Sequence, residues 1–303
     1  MLLFPARTVF VEGPDCSGKT SLIREVHKKT GYRWHLMDRS QLSRKIFSEM
    51  YGRSIEHIDD HLHNELFNLN NKYVIIDLPF KTIKSRFEKR GDDLHDLSSI
   101  RRVHKLFMQE FKNLQDHPNV IRITCNKSSI SDIADSVIAS LMMQEGAQIK
   151  EIADSVIDAV AQSENHEVFP LQVTLYDDGE FEEATHSILE FEPESEYYIK
   201  ILLAFLNKID AEMKGKNEYS RKESIFSRRF VYTDDSCISF IQASQRNSIM
   251  DFHCVIRSCN VRELFEHDLR FIYYLASECW KRIGGGCTSA RIRVNLNSAH
   301  IIE

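Results

Sequence analysis

Residues 9–26, VFVEGPDCSGKTSLIREV, constrain the fold of this chain more than any other stretch. A Gly, four residues and then Gly-Lys-Thr is the spacing of a phosphate-binding loop. An apolar, β-branched run precedes it and an apolar pattern with helical spacing follows it, so the loop is predicted to join a buried strand to a helix. In that context backbone N–H groups can wrap a phosphate at the helix N-terminus. The predicted ATP-binding residues are Gly13, Asp15, Cys16, Ser17, Gly18, Lys19, Thr20 and Ser21.

The loop predicts a nucleoside triphosphate and a metal ion as ligands. Lys19 would reach the β- and γ-phosphates, and the Thr20 hydroxyl would hold Mg²⁺. The alternative is a Gly-rich turn that occurs by chance, and the flanking strand and helix patterns disfavour it.

The chain after the loop alternates between strand and helix patterns. Strands are predicted over residues 33–37, 73–77 and 120–124, with helices over 41–50, 56–69, 81–90 and 97–114. This alternation predicts an α/β domain with a parallel sheet, whose sites lie at the carboxyl ends of the strands. Gly13, Asp38 and Asp77 all fall at such ends.

Composition limits the classes of function. With 303 residues, 42% of them hydrophobic, we expect two domains with substantial cores. A net charge of -6 gives no bulk electrostatic attraction to nucleic acid or anionic membrane, although a local basic groove stays possible. There is no apolar run of transmembrane or signal length, so we expect a cytoplasmic protein. The seven cysteines form no Cys-x-x-Cys pair, which disfavours a zinc site and a disulfide framework.

The first half of the chain resembles a known family. EGPDCSGKTSL resembles the phosphate loop of thymidylate kinase and its relatives, HLMDRSQLSRKIFSEMYGR is similar to the Asp-Arg-Ser segment of deoxynucleoside and deoxynucleotide kinases, and VIIDLPFKTIKSRFEKRGDD is similar to their strand and Arg-rich lid. The resemblance covers roughly residues 7 to 140. It implies that Asp38 binds Mg²⁺ or orients the acceptor hydroxyl, that Arg39 binds acceptor oxygens, and that Arg86 and Arg90 close on the transferring phosphoryl group. Asp77 is a further candidate Mg²⁺ ligand.

Several of these residues have structural alternatives. Asp77 precedes Leu-Pro and could only end a strand, and Arg86 and Arg90 could form a solvated helix face. Glu12 and Asp15 border the loop and could simply orient it. His57, His61 and His63 are more typical of a polar helix face than of a metal site.

One departure from the family affects the acceptor. Asp38 follows Lys19 by only 19 positions, whereas thymidylate kinases carry a much longer segment there that forms part of the monophosphate pocket. A shortened acceptor side also suits a bulky substrate such as a modified base in DNA. Some phage kinases of this family are thought to phosphorylate 5-hydroxymethyluracil in DNA, and this chain resembles them in architecture. If phage-encoded, the protein would act in the host cytoplasm.

A repeated segment lies between the two halves. IADSVI occurs at residues 133–138 and again at 152–157, each time with apolar residues at helical spacing. We expect two similar amphipathic helices that pack together or against a partner chain, whether by duplication or by convergent composition. The predicted domains are 1–145, a kinase-like domain; 146–166, a helical linker; and 167–303, an α+β domain.

The second half carries a second resemblance. SRRFVYTDDSCISFIQ, VIRSCNVRELFEHDLRFIYYLA and VNLNSAHIIE are similar to three ordered blocks of the thymidylate synthase and deoxycytidylate hydroxymethylase family. Arg257 follows Cys237 by 20 positions, an interval similar to that between the family's nucleophilic Cys and its Arg-Ser phosphate motif. The resemblance implies a pyrimidine nucleotide site formed by Cys237, Gln242, Arg257, Ser258, Asn260, Asp268 and His300. Arg228 and Arg229 match a pair that the family donates to a partner subunit, which implies a homodimer through this domain.

This half also departs from its family. Ser236 and Ile238 replace the family's Pro and His around the Cys, Ile302 replaces a Tyr, and no folate-binding portion is visible. Asp268 stands where cytosine-recognising members place an Asp, since a carboxylate accepts from an exocyclic amine. A reactive thiolate is stabilised by a nearby cation or dipole. Asp234 and Asp235 place negative charge near Cys237 in the sequence, which disfavours a thiolate there.

Three functional hypotheses follow. The first is a P-loop kinase that uses ATP and Mg²⁺ to phosphorylate a deoxypyrimidine, either a free monophosphate or a hydroxymethylated base in DNA, with a nucleotide-binding or dimerising second domain. The second is a pyrimidine hydroxymethylase or methyltransferase that uses Cys237. The third is a nucleotide-binding scaffold whose ATPase is idle.

Overall fold

The computed structural model describes residues 2–91, 95–124, 129–143, 148–163, 165–184, 195–214, 230–246 and 248–302 of the chain. The chain forms two compact units, Ala6–Glu145, here the P-loop unit, and Met1–Pro5 with Gly146–Glu303, here the second unit. Residues 1–5 therefore belong with the second unit. The same holds for residues 146–166, which the sequence assigned to a linker.

Helices and strands alternate through the first half. In chain order they are β1 (Leu2–Leu3), β2 (Thr8–Glu12), α1 (Lys19–Thr30), β3 (His35–Asp38), α2 (Gln41–Met50), α3 (Ile58–Leu66), β4 (Asn71–Asp77), α4 (Phe80–Arg90), α5 (Leu97–Leu114), β5 (Val120–Thr124) and α6 (Ile130–Met143).

The P-loop unit contains a four-stranded parallel sheet in the order β3-β2-β4-β5. Val9, Val11, Val74 and Ile76 of the central strands join the buried core that α1 and α6 cover. β3, which follows β2 in the chain, lies on the side of β2 away from β4. β5, which follows β4, lies on the side of β4 away from β2. The loops that follow β2 and β4 therefore run in opposite directions. A crevice at such a divergence is where ligands bind in open parallel sheets.

The second half is an α+β unit. Its elements are α7 (Ile149–Ala161), β6 (Glu167–Val168), β7 (Leu171–Asp177), α8 (Ser195–Lys214), β8 (Phe230–Thr233), β9 (Ile238–Arg246), β10 (Ile249–Ile256), β11 (Cys259–Asn260), α9 (Phe265–Ile283), β12 (Ser289–Leu296) and β13 (Ala299–His300).

A six-stranded sheet in the order β1-β7-β12-β10-β9-β8 forms the framework of the second unit. The β10–β12 pair is parallel and the other pairs are antiparallel. β11, β13 and β6 form a small separate sheet. β12 alternates strictly between buried and half-buried residues, and α9 packs on this sheet with α7 and α8 beside it.

The two copies of IADSVI form helices in different units. α6 buries Ala134, Val137 and Leu141 in the P-loop unit, while α7 buries Ile149, Ile152 and Val156 in the second unit. Each helix packs within its own unit, α6 on α1 and α7 on α9. The two copies were expected to pack together or against a partner chain. Instead, each contributes to the core of its own unit.

Candidate functional site

The phosphate loop between β2 and α1 has the backbone conformation of an anion cradle. Gly13 has φ of 154°, Gly18 has φ of 101°, and Cys16 between them also has a positive φ, of 63°. A Cβ on Gly13 would lie 2.9 Å from Ser17 Oγ, so the loop closes tightly at this point. Successive N–H groups in such a turn, at the start of α1, form a concave site for an anion.

Lys19 is held inside the loop. Its Nζ donates to the carbonyl oxygens of Gly13 at 2.6 Å and Pro14 at 3.1 Å, and the residue is 7% exposed. Burial lowers the pKa of Lys19, and the carboxylates of Asp15 and Asp38 oppose that shift. The two carbonyl contacts hold the Lys19 side chain inside the loop.

Thr20 and Asp38 meet at the carboxyl edge of the sheet. Thr20 Oγ1 donates to Asp38 Oδ2 at 3.2 Å, and Asp38 pairs with Val11 across β2 and β3. Mg²⁺ is usually held by one or two protein oxygens together with substrate phosphates. A hydroxyl and a carboxylate in contact beside a phosphate loop match that donor set. No group of three or more His, Cys, Asp or Glu side chains suited to a metal occurs within the described residues.

The loop fits a triphosphate on two further observations. Ser17 Oγ is buried and has no hydrogen-bond partner within the described residues, which is costly for a hydroxyl. A cavity of about 680 Å³, here the loop cavity, opens beside it. It is lined by Asp15, Cys16, Ser17, Gly18, Lys19, Thr20, Ser21, Leu22, Asp38, Arg39, Ile76, Arg86, Arg90, Ile130 and Ile133.

The turn after Asp38 is built around Arg39. Arg39 has φ of 79°, and its backbone N–H donates to Val11 O at 3.3 Å. Its guanidinium donates to Asp15 Oδ1 at 2.8 Å and lies 4.6 Å from the centre of the Phe47 ring. Arg39 therefore joins the phosphate loop to α2, and a strained backbone at this point is typical of a functional turn.

Glu12 anchors the turn after Asp38 through hydrogen bonds to Ser40 and Ser43. The sequence had suggested only that Glu12 could orient the phosphate loop. The residue is fully buried, and its carboxylate accepts from Ser40 N and Ser40 Oγ at 2.6 Å each and from Ser43 Oγ at 2.5 Å. Burial raises the pKa of Glu12, and these hydrogen bonds and Lys19 oppose that shift. An acid directly before Gly13, at the end of an apolar strand, was the available signal, because a buried carboxylate requires partners.

The two predicted lid arginines lie on α4 and line the loop cavity. Arg86 donates from one guanidinium nitrogen to Cys16 O at 3.2 Å and to Ser17 O at 2.8 Å. Arg86 thus contacts the phosphate loop itself and does not form a purely solvated helix face.

Asp77 has a different environment from Asp38. Arg122 on the neighbouring strand β5 donates to Asp77 Oδ2 through both Nε, at 3.0 Å, and a terminal nitrogen. Asp77 is not among the described residues that line the loop cavity. The structure places it in an ion pair between strands, and its predicted contact with Mg²⁺ is not supported by this position.

The described second-unit candidates lie on several elements: the turn before β9, β9 itself, the turn after β10, β11, α9 and β13. Cys237 is exposed, and its carbonyl accepts from Arg257 N at 2.7 Å. Ser258 follows on the same turn. Asn260 Nδ2 donates to Glu263, and His300 lies within 3.4 Å of Ser298 Oγ. Arg228 and Arg229 lie outside the described residues.

Asp268, predicted to read a base, is enclosed by its own unit. The residue is 6% exposed; Tyr198 Oη donates to one carboxylate oxygen at 2.9 Å, and Cys259 Sγ lies 3.5 Å from the other. Gln242 lies in the middle of β9, opposite His253 of β10. The described contacts therefore fix Asp268 within the protein and place Gln242 in the sheet, away from the turn that holds Cys237.

A second cavity of about 580 Å³ shares Asp15 and Arg39 with the loop cavity. Its other lining residues come mainly from α2 and the turn after it. The sequence prediction did not include Arg44, Tyr51, Arg53 or His95, which line it. Their only sequence signal is a basic and aromatic composition directly after Asp-Arg-Ser, which is also typical of a solvated helix.

Comparisons with known proteins give similar structures only. No family model matches the chain, and no curated protein matches it. YorR from Bacillus subtilis, solved with phosphorylated GDP, is 18% identical with a TM-score of 0.37, over 45% of this chain and 96% of that one. Deoxyadenosine kinase from M. mycoides, solved with dCMP and dCDP, is 13% identical with a TM-score of 0.36, over 45% and 98%.

Thymidylate synthase from T4 phage is another similar structure. It is 13% identical with a TM-score of 0.33, over 52% of this chain and 76% of that chain. Similarity at this level does not establish an activity for this chain. Among the described residues, no helix has both the length and the apolar character that spanning a membrane requires.

Proposed function

We propose that this protein is a kinase that uses ATP and Mg²⁺ to phosphorylate a deoxypyrimidine acceptor. The observation that carries the proposal is the contact of Thr20 Oγ1 with Asp38 Oδ2 at 3.2 Å, beside a loop that holds Lys19 at its centre. A cation, a hydroxyl and a carboxylate in this order around a phosphate cradle are the parts that phosphoryl transfer needs. The acceptor would be a free nucleotide or a hydroxymethylated base in DNA.

The residues would act by position and charge. Thr20 and Asp38 would hold Mg²⁺, which when bound neutralises charge on the β- and γ-phosphates. Lys19 donates to the phosphate oxygens in place of its own loop carbonyls. Arg86 and Arg90, on α4 at the cavity wall, face the charge that spreads over the transferring group. Arg39, fixed by Asp15, orients the acceptor at the boundary between the two cavities.

The test is transfer of the γ-phosphoryl group from labelled ATP to deoxynucleotides, deoxynucleosides and DNA containing hydroxymethyluracil. Lys19→Met and Asp38→Asn should each lower transfer by roughly 10²-fold or more. Lys28→Met, an exposed lysine of the same helix, is the matched control and should keep full activity. Equal transfer by wild type and Lys19→Met, or none to any acceptor, would refute the kinase. Tight ATP binding without transfer would favour the scaffold.

For the second unit we propose pyrimidine nucleotide binding or self-association. The exposed thiol of Cys237 is the one observation that favours the alternative activity, hydroxymethyl or methyl transfer. The enclosed Asp268 weighs against it, because a base-reading carboxylate has to reach the ligand. Cys237→Ala should leave kinase activity intact. Loss of a hydroxymethylase activity in Cys237→Ala, with Lys19→Met unaffected, would reverse the assignment.

A further inference from the structure

The second cavity carries more positive than negative charge among the described residues that line it. Arg39, Arg44 and Arg53 face one carboxylate, Asp15, which is already paired with Arg39 at 2.8 Å. Neither Arg44 nor Arg53 forms an ion pair with any described residue; Arg44 only approaches Gln41 Oε1 at 3.4 Å. By contrast, Arg122, Arg291 and Arg293 each bind an aspartate. Two guanidinium groups are therefore left without counter-charge on one concave surface.

Aromatic rings lie beside two of the three guanidinium groups in the second cavity, those of Arg39 and Arg53. Arg53 lies 4.9 Å from the centre of the Tyr51 ring and Arg39 lies 4.6 Å from that of Phe47. Tyr51 Oη is also 3.3 Å from Nε2 of His95, which lines the same cavity. A guanidinium beside an aromatic ring keeps its N–H donors for another partner, and Arg forks bind phosphate oxygens in two-point contacts.

Among the described residues, each carboxylate on the walls of the two cavities already has a polar partner, and the proposed function assigns Asp38 to Mg²⁺. The lining carboxylates are Asp15, paired with Arg39, and Asp38, bonded to Thr20. Glu12 lies beneath them and accepts only from Ser40 and Ser43 among its described contacts. A hydroxyl acceptor must lose a proton as it attacks, and a positioned base normally takes it. A phosphate monoester is already mostly dianionic at pH 7, so its oxygen needs no base.

We propose that the second cavity binds the phosphate monoester of a free nucleoside 5′-monophosphate, with Arg44 and Arg53 as its anion ligands. This inference rests on the proposed kinase function and selects among its acceptors. A phosphate oxygen of the monophosphate attacks the γ-phosphorus of ATP from the side of Arg39. The bond from that phosphorus to the β–γ bridging oxygen breaks, and the products are ADP and a nucleoside diphosphate. No proton has to be removed from the acceptor.

Binding without catalysis is the first test. Calorimetric titration with thymidine and deoxycytidine 5′-monophosphates is compared with titration with the two nucleosides. Arg44→Gln and Arg53→Gln should each weaken monophosphate binding roughly tenfold or more, the effect of losing one charged hydrogen bond, and leave nucleoside binding unchanged. Arg102→Gln, an exposed arginine that lines neither cavity, should change nothing. Monophosphate affinity that is insensitive to both cavity variants would overturn the proposal, as would no monophosphate binding.

Transfer assays separate this proposal from the proposed function. Lys19-dependent transfer to monophosphates, with KM for the monophosphate raised in Arg44→Gln and Arg53→Gln but KM for ATP unchanged, supports both. If transfer depends on Lys19 but occurs only to nucleosides or to DNA, and not to monophosphates, the kinase function is supported and the proposed monophosphate acceptor is refuted. If monophosphate binding depends on Arg44 and Arg53 but no phosphoryl transfer occurs, the proposed monophosphate site is supported and the kinase function is refuted.

Discussion

Lys72 provides a measurable test of how the P-loop unit is stabilised. It is the second residue of β4, near the end of the strand opposite the phosphate loop, and is 4% exposed. Its Nζ donates to Asn119 Oδ1 at 2.9 Å. Burial lowers the pKa of Lys72 from 10.5 to about 8. At neutral pH the folded chain therefore holds a cation that would be more stable in water.

The size of this penalty follows from the pKa difference. At about 1.4 kcal/mol per pKa unit, keeping Lys72 protonated in the fold costs roughly 3 kcal/mol at pH 7. Lys72→Met removes that cost and leaves Asn119 Oδ1 without this donor, which costs about 1 kcal/mol. We expect the variant to be about 2 kcal/mol more stable than wild type at pH 7.

The pKa shift of Lys72 also determines whether stability rises or falls with pH. Between pH 8 and 10.5 the unfolded chain holds a proton on Lys72 that the folded chain has lost, so wild-type stability gains from this group as pH rises. The penalty is full below pH 8 and absent above pH 10.5. Lys72→Met lacks this gain. Its advantage should shrink across the window and reverse by about 1 kcal/mol at the alkaline end.

Urea unfolding can be followed in this unit alone. Trp34 and Trp280 are the two tryptophans of the chain, so a Trp280→Phe background leaves Trp34, buried in the P-loop unit, as the only tryptophan reporter. Lys105→Met, at an exposed position of α5, controls for loss of a surface charge. A Lys72→Met difference that stays constant from pH 7 to 10, or a variant less stable than wild type at pH 7, would refute the reasoning.

Three predictions concern the site. Gly13→Ala, whose Cβ would meet Ser17 Oγ at 2.9 Å, should weaken ATP binding at least tenfold by calorimetry; an unchanged Kd would contradict the cradle geometry. Glu12→Ala leaves Ser40 N and two hydroxyls without their acceptor and should lower stability by about 3 kcal/mol in urea. In Glu12→Ala, kcat should fall more than the affinity for ATP. In Glu12→Gln, kcat and the affinity for ATP should both fall less than in Glu12→Ala. Asp38→Asn should raise the Mg²⁺ concentration for half-maximal transfer about tenfold, and an unaltered Mg²⁺ titration would remove Asp38 from the metal site.

Local patterns were sufficient for most elements. The helix expected over 97–114 spans Leu97–Leu114, and the strand expected over 120–124 spans Val120–Thr124. The helix begins where Asp96 caps Ser99 N at 2.8 Å and then buries one face at helical spacing. Signals of this kind lie within a few residues, so sequence alone carries them.

Elements stabilised by distant partners were not predictable in the same way. β1 is only two residues long, and it forms because Leu2 and Leu3 pair with Asp177 and Tyr176 of β7. Likewise α7 has the pattern of an amphipathic helix, but the pattern does not say which core covers its apolar face. The partner surface is far along the chain in both cases, and pairing over such distances depends on the whole topology.

The two aspartates at strand ends show where pattern reasoning stops in the site itself. Asp38 and Asp77 both end strands of one parallel sheet, and both were predicted as Mg²⁺ ligands, Asp38 through the family resemblance and with orientation of the acceptor hydroxyl as its alternative role. The strand order β3-β2-β4-β5 separates them. β3 lies beside β2 and brings Asp38 to Thr20 at the start of α1, whereas β5 lies on the other side of β4 and brings Arg122 to Asp77. A carboxylate already bonded to a guanidinium is a poorer metal ligand, because binding the metal requires breaking that pair. The neighbour that each strand acquires in the sheet therefore decides the chemistry of its terminal acid.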